Sequence, residues 1–376
     1  SVEGMLVQVN NPVAVGPTNN FGEIPVLADN GANASTRTAR GGIIIQPTDF
    51  NPERILIDDT LVANPPQVNV GDKFNGSVVG VMDYSFSNFK LFNTQALPSV
   101  TSGSLQKEVT GLTPNPNQLT VGTFNVENLD PNDGDTKFNN IANRIVNNLK
   151  APDIITIEEI QDNNGATNDT VVDASQTYNK LISAIAAAGG PTYQFRQINP
   201  VDDQDGGEPG GNIRVGFLFN PNRVLFVERA GATSTSNTTV NNVGGVPQLS
   251  ASPGRLDPTN TAFNASRKPL VGEFVFQGQT IYIVGNHFNS KGGDQPLFGR
   301  FQPPTLTSET QRNQQATIVK DFVQSILTIN PNANVVVMGD LNDFEFSNPI
   351  NTLESAGLKT LIESLPENER YTYNFE

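Results

Sequence analysis

A single histidine, His287, stands among the 376 residues of the chain. It follows an apolar run, Ile281-Tyr282-Ile283-Val284, that breaks at Gly285 and ends in Asn286-His287. Three other apolar runs end in groups of the same kind. Asn125 and Glu127 close the 119–126 run, Glu158-Glu159 close 154–157, and Asp340, Asn342 and Asp343 close 334–338. The interior of a strand does not require this. Carboxylates and amides at adjoining strand ends make a hard, oxygen-rich site suited to Mg²⁺ or Mn²⁺. An imidazole beside such a site can exchange protons near neutral pH. The matching chemistry is hydrolysis of a phosphate ester, in which metal and donors neutralise the phosphate while a water attacks in line. Taken singly, each signal has a plain structural reading. A lone histidine is often just hydrogen-bonded, Gly339-Asp340 is a common turn, and Glu158-Glu159 reads as a solvated strand end.

To bring those ends together the chain must alternate strands and helices. Phe138, Ile141, Ile145 and Leu149 recur at helical spacing and predict a helix over 137–149. Tyr178, Leu181, Ile182 and Ile185 predict another over 176–188, stopped by Gly189-Gly190-Pro191. Ser308 and Gln311 can form a capping box for a long helix carrying Val319, Phe322, Val323 and Ile326. Buried strands are expected at 213–219, 224–227 and 270–276 as well as at the four runs above. This pattern predicts a layered α+β domain over 119–376, with two packed sheets and outer helices. Residues 1–98 read differently. Short apolar runs at 5–9, 24–27, 42–45, 55–57 and 77–81 alternate with turn signals, which predicts a small OB-like β-barrel. No aromatic-plus-basic stripe is evident there, so a spacer is expected rather than a nucleic-acid binder. Residues 99–118, rich in Ser, Thr, Gly and Pro, read as a linker.

Composition narrows the classes. The net charge of −15 argues against broad duplex binding over the whole surface. It does not exclude a nucleic-acid substrate, because bound divalent ions supply positive charge where phosphate sits. Both parts are acidic: 9 acids against 5 bases over 1–98, and 28 against 17 over 119–376, so neither is a basic DNA-binding arm. No apolar run approaches the roughly 20 residues of a membrane span. The absence of cysteine excludes disulfides and thiolate metal sites. Together with abundant Asn, Thr, Gly and Asp, it suits a secreted bacterial protein. Asp130 to Asp135 resembles the start of a calcium loop, but Ile141 occupies the twelfth position where a bidentate Glu is needed. It reads as a turn into a helix. The acidic 202–208 loop is a second candidate for structural Ca²⁺, with a solvated loop as the alternative.

The ordered motifs FNVEN, IEEIQDN, GGNIRVGFLFNP, SRKPL, NHFNSKGGD and GDLNDFEFSNP together resemble the endonuclease/exonuclease/phosphatase superfamily, in particular its secreted bacterial nucleases. The resemblance covers 119–376, and 1–98 is similar to the small β-domain that precedes the catalytic domain in those nucleases. It implies a metal-dependent nuclease acting on DNA, with RNA as an alternative. Asn125 and Glu159 would hold the divalent ion. His287 would contact the phosphate and assist proton transfer, Asp340 would orient or activate the water, and Asn342 would fix the phosphate. Arg214 matches a family arginine near the scissile phosphate, and Lys291 would add positive charge. The family pattern continues past the motif here written Tyr371 to Glu376, with an aspartate and then an Asp-His pair. The natural protein is accordingly expected to carry a further segment. The rival readings are another phosphoesterase on the same fold and a non-catalytic extracellular structural protein.

Overall fold

The computed structural model describes residues 2–372. The motif from Tyr371 to Glu376 lies mostly outside the described residues. The chain divides into two compact units. One is built mainly from residues up to Lys107, joined by Gly292–Thr307 and the stretch from Lys359. The other comprises Glu108–Lys291 and Ser308–Leu358.

The first unit contains β1 (Leu6–Val9), β2 (Val13–Ala14), β3 (Ile24–Leu27), β4 (Ile55–Asp58), β5 (Lys73–Phe74), β6 (Val78–Ser85), β7 (Asn88–Asn93) and β8 (Val100–Thr101). They form one sheet in the order β1-β6-β7-β4-β3-β2-β5-β8. All neighbours are antiparallel except β4 and β7. The expected five-stranded OB-like barrel is not what forms, because β1 and β8 have one neighbour each and eight strands lie in an open order. The expected strand at 42–45 is also absent. Only single bridges, Arg37 to Ile43 and Gln46 to Asp49, occur there, between Gly41-Gly42 and Pro47. Glycine adds conformational entropy and proline removes a ladder donor, so the run cannot extend. Alternation along β6 and β7 buries Val78, Met82 and Leu91 with Ile24, Val26 and Ile57 in one core.

The second unit follows the predicted alternation. Its strands are β9 (Val121–Leu129), β10 (Ile154–Ile160), β11 (Gln194–Arg196), β12 (Arg214–Phe219), β13 (Leu225–Val227), β14 (Val240–Val243), β15 (Val246–Leu249), β16 (Gly254–Arg255), β17 (Leu270–Phe276), β18 (Gln279–His287) and β19 (Asn334–Asp340). Its helices are α1 (Gly134–Asn143), α2 (Ser175–Ala187), α3 (Glu309–Ile329) and α4 (Asn348–Glu354). One sheet runs β11-β12-β10-β9. The second runs β13-β17-β18-β19, with β16 on β17. Phe217 and Phe219 of the first sheet interlock with Phe226 and Phe274 of the second, at ring-centroid separations of 5.6–5.7 Å. Phe138 and Ile141 of α1 and Tyr178 and Leu181 of α2 pack on Ile155 and Ile157 of β10. Val319, Phe322 and Val323 of α3 pack on Tyr282 and Val284 of β18. The unit is therefore a layered α+β sandwich whose sheet faces and helix stripes are both apolar.

Two helix ends depart from expectation. The first helix does not run as one α-helix to Leu149 but becomes a π-helical turn at Arg144–Asn148. Ser308 does not cap α3 through its side chain. Its hydroxyl accepts instead from Arg312 Nη1 at 2.6 Å. Among the described residues, no helix is long and apolar enough to cross a membrane.

Candidate active site

Strand register builds one half of the site. β9 and β10 run parallel, with Glu158 opposite Asn125, and the register then slips so that Ile160 faces Leu129. That bulge takes one residue out of the alternation and re-aims its side chain. Glu159 sits at the bulge with φ +65°, a left-handed conformation unusual for a non-glycine residue. The two successive acids are thereby separated. Glu158 turns inward and is fully buried, while Glu159 faces the strand ends.

The second sheet builds the other half. β18 and β19 run parallel, placing Asn286 opposite Gly339 and His287 opposite Asp340. Gly339 is required: its φ is +131°, and a Cβ there would lie 2.0 Å from the Asn286 carbonyl oxygen. At the meeting point, Asn125 Nδ2 donates to Glu159 Oε1 at 2.8 Å and to Asp340 Oδ2 at 3.3 Å. His287 Nε2 lies 3.7 Å from Glu159 Oε1 and 4.0 Å from Asp340 Oδ2. Four expected site residues from four strand ends thus converge. The Asn128 N–H donates to Glu159 Oε2 at 3.0 Å, and the Asn342 N–H donates to Asp340 Oδ1 at 2.9 Å. Both carboxylates are therefore held by backbone donors. The Asn342 side chain itself donates to the Phe288 carbonyl at 3.1 Å, so its amide supports the loop after β18.

Of the two expected cations, Arg214 is committed to loop carbonyls and amides. Arg214 is buried, and its guanidinium donates to the carbonyls of Val172 (2.6 Å) and Asn212 (2.7 Å) and to Asn199 Oδ1 (3.0 Å). Burial lowers its pKa to about 10. It stabilises the loops before β12, so the structure does not supply the phosphate-facing guanidinium the resemblance implied. The Lys291 amine lies 5.1 Å from the Phe344 ring centre. The cation that does face the carboxylates is Arg267. It is buried, acts electrostatically on Glu159 and Asp340, and donates from Nη2 to the Phe288 carbonyl at 2.9 Å.

Burial, reinforced by Arg267, pushes the His287 pKa well below its ordinary value. The ring is neutral at physiological pH and can donate or accept one hydrogen bond. Its Nδ1 is buried without a protein partner. Burial raises Glu158 to about 8, with Asp340 adding to the shift and the Thr123 hydroxyl, 2.8 Å away, opposing it. Glu158 and Arg267 are the residues that sequence reasoning misplaced or left open. The only signal for Glu158 was its position directly after the strand-like run Ile154-Ile155-Thr156-Ile157.

Among the described residues, no group of three or more His, Asp or Glu side chains is arranged to hold a metal ion. The chemistry of the donors nonetheless fits a hard divalent cation. Two carboxylate oxygens converge on a single amide NH₂, with the neutral His287 ring 3.7 Å and 4.0 Å from them. Glu159 and Asp340 are the oxygens presented. The Asn125 amide oxygen accepts from the Glu127 N–H at 2.9 Å, so Asn125 joins them only by rotating its amide. In the acidic 202–208 loop one of the acids is already paired with protein cations. Its Asp205 is buried between Arg255 Nη2 (2.9 Å) and Lys268 Nζ (2.8 Å).

Residues 248–373 match the Endonuclease/Exonuclease/phosphatase family, a span that includes β18, α3 and β19 and so both His287 and Asp340. Residues 1–102 match a domain of unknown function (DUF8508). No curated protein matches the chain. Among solved structures, it is similar to the catalytic domain of human Nocturnin at 14% identity and TM-score 0.41, over 67% of this chain and 76% of that one. An endonuclease/exonuclease/phosphatase family protein from Leptotrichia buccalis aligns at 15% identity and TM-score 0.36, over 64% and 75%. Humanized D. rerio TDP2 aligns at 16% and 0.35, over 62% of this chain and just under two thirds, 66%, of that one.

Proposed function

We propose that the second unit is a metal-dependent phosphodiesterase whose substrate is nucleic acid, DNA first and RNA as the alternative. The observation that carries the reading is the convergence of Asn125, Glu159, His287 and Asp340 from four strand ends of two sheets. The family match over 248–373 supports it. Glu159 and Asp340 hold the divalent ion, Mg²⁺ or Mn²⁺, which supplies charge neutralisation at the phosphate. Asn125 positions both carboxylates and becomes a third oxygen donor on amide rotation. Neutral His287 donates from Nε2 to a phosphate oxygen, where a buried donor is worth more than in water. Asp340, held by the Asn342 N–H, accepts a proton from the water that attacks phosphorus, while the opposite P–O bond breaks and the departing alkoxide takes its proton from solvent. Arg267 balances the two carboxylates from within the protein. The cysteine-free composition and the resemblance to secreted bacterial nucleases favour a secreted protein.

The test is plasmid nicking and oligonucleotide cleavage with Mg²⁺ or Mn²⁺, against EDTA and against Glu159→Ala and His287→Ala. Metal-dependent cleavage lost in both variants supports the reading. Cleavage equal in wild type and both variants, or none by the wild type with any divalent ion, overturns it.

A further inference from the structure

One acid of the 202–208 loop reaches the candidate site through an intermediary. Glu208 Oε2 accepts from Asn128 Nδ2 at 2.8 Å, and the Asn128 N–H donates to Glu159 Oε2 at 3.0 Å. The contacts therefore run from Glu208 to Asn128 to Glu159. Each link past Glu208 has a backbone that needs support. Glu159 is left-handed at φ +65°, and Glu127 and Asn128 are consecutive left-handed residues at φ +56° and +52°. Such conformations persist only where the surroundings over-determine them. Lys137 Nζ holds the Glu127 carbonyl at 2.7 Å. Glu208 is the corresponding hold on Asn128. The amide has one workable orientation there, because an ionised carboxylate only accepts and Nδ2 must face it. Asn128 Oδ1 is left buried without a hydrogen-bond partner in the protein.

This support is only as rigid as the loop that carries it, and the loop is pinned on both sides of Glu208. Before it, Asp205 is paired with Arg255 and Lys268, and Lys268 Nζ also donates to the Gln204 carbonyl at 2.8 Å. Gly206, at φ +63°, passes so close to Ala265 that a Cβ would lie 2.1 Å from its carbonyl oxygen. After it, Pro209 and Gly210 close a turn in which the Gly211 N–H donates to the Glu208 carbonyl at 3.1 Å, with Gly210 at φ +76°. We propose that Glu208 is a positioning residue: through Asn128 it presets the Glu159 carboxylate for a divalent cation, without touching the cation itself. The proposal rests on the metal-dependent reading of this site and adds to it a residue from outside the four strand ends.

The experiment is Mn²⁺ binding to the full chain after EDTA treatment and dialysis, read by isothermal titration calorimetry, which needs no turnover. Glu208 is half-buried, so its truncation opens no core cavity. Glu208→Ala should weaken Mn²⁺ binding on the order of ten- to a hundredfold, the usual loss when a group that orients a metal ligand is removed. Glu208→Gln should stay close to wild type, because its amide oxygen still accepts from Asn128 Nδ2. Asn128→Gly keeps the N–H and the left-handed backbone but loses the side chain, so adding Glu208→Ala to it should cost nothing more. Unchanged binding in Glu208→Ala, a Glu208→Gln variant as weak as Glu208→Ala, or additive losses in the double variant overturns the proposal. Oligonucleotide cleavage against Mg²⁺ concentration separates it from the reading beneath it. If the binding pattern holds but wild type cleaves no nucleic acid, the positioning role stands and the phosphodiesterase reading falls. If wild type cleaves and Glu208→Ala needs no more Mg²⁺ than wild type, the positioning role falls alone. No Mn²⁺ binding by wild type removes both.

Discussion

Glu158 and Glu159 are adjacent in sequence and opposite in environment. The bulge in β10 buries one beside Thr123 and turns the other to Asn125. Replacing Glu159 with Ala removes a carboxylate that nothing nearby replaces, and cleavage should fall to background at any Mg²⁺ concentration. His287→Ala should lower kcat by about 10²–10⁴, the usual contribution of a positioned proton-exchanging group. Single-turnover kinetics separate that loss from weakened binding. Gly339→Ala is a test of fold rather than chemistry. Its Cβ would overlap the Asn286 carbonyl, so the variant should lose about 3 kcal/mol or more by denaturant unfolding. A Tm within 1 °C or so of wild type would show that β18 and β19 are less closely paired than described.

At the scale of elements, α3 does more than cover β18. Arg312 and Asp343 are both fully inaccessible and form an ion pair at 2.7 Å. The same guanidinium donates to the Ser290 carbonyl at 3.2 Å, and the neighbouring Gln315 accepts from the Asn289 N–H at 2.9 Å. One helix thus ties together the loops that follow His287 and Asp340. Arg312→Met leaves Asp343 charged and buried and should cost about 3–5 kcal/mol. Arg312→Met combined with Asp343→Leu should recover much of that loss, because an apolar pair of similar volume avoids the buried charge. Urea melts of the two singles and the double decide it: an additive double mutant would mean that the pair is not coupled. The π-helical turn and the short bridges at 37–49 mark where periodicity and propensity misled. An i to i+5 turn leaves apolar spacing nearly intact, and Ile43 to Ile45 are flanked by residues that prevent a ladder.

At the scale of the whole molecule, each unit has its own core, and pH acts on the first through one buried cluster. Lys90 is buried between Glu23 and Asp58, with its Nζ 3.0 Å from Asp58 Oδ2. Desolvation would raise Asp58, but hydrogen bonds from Thr60 and Lys90 outweigh it and the pKa ends lowered. Desolvation likewise opposes the Lys90 charge, and its carboxylate partners raise the pKa above its ordinary value. A lowered carboxylate stabilises above its unfolded pKa and loses that contribution as pH falls through the folded value. A raised lysine stabilises below its unfolded pKa and loses it as pH rises through the folded value. The contribution of this cluster to stability should therefore be flat between about pH 5 and 10 and decline outside that window. Thermal melts across pH should show Lys90→Met flattening the alkaline decline. An unchanged alkaline limb in that variant would assign it to other groups.

The apolar runs and their polar ends are local properties, so the sequence already specifies the α+β alternation, the helices on β10 and β18, and which strand ends bear Asn125, Glu159, His287 and Asp340. It also determined an acidic, cysteine-free chain. Long-range packing settles that Glu158 is buried, that Arg267 rather than Arg214 acts on the carboxylates, and that the first unit is an open eight-stranded sheet. Each of these depends on register, on a bulge, or on which distant segment supplies a partner. A one-residue slip reverses the face of a strand without changing its composition. An arginine reads the same in sequence whether carbonyls from a loop some forty residues away saturate it or leave it free.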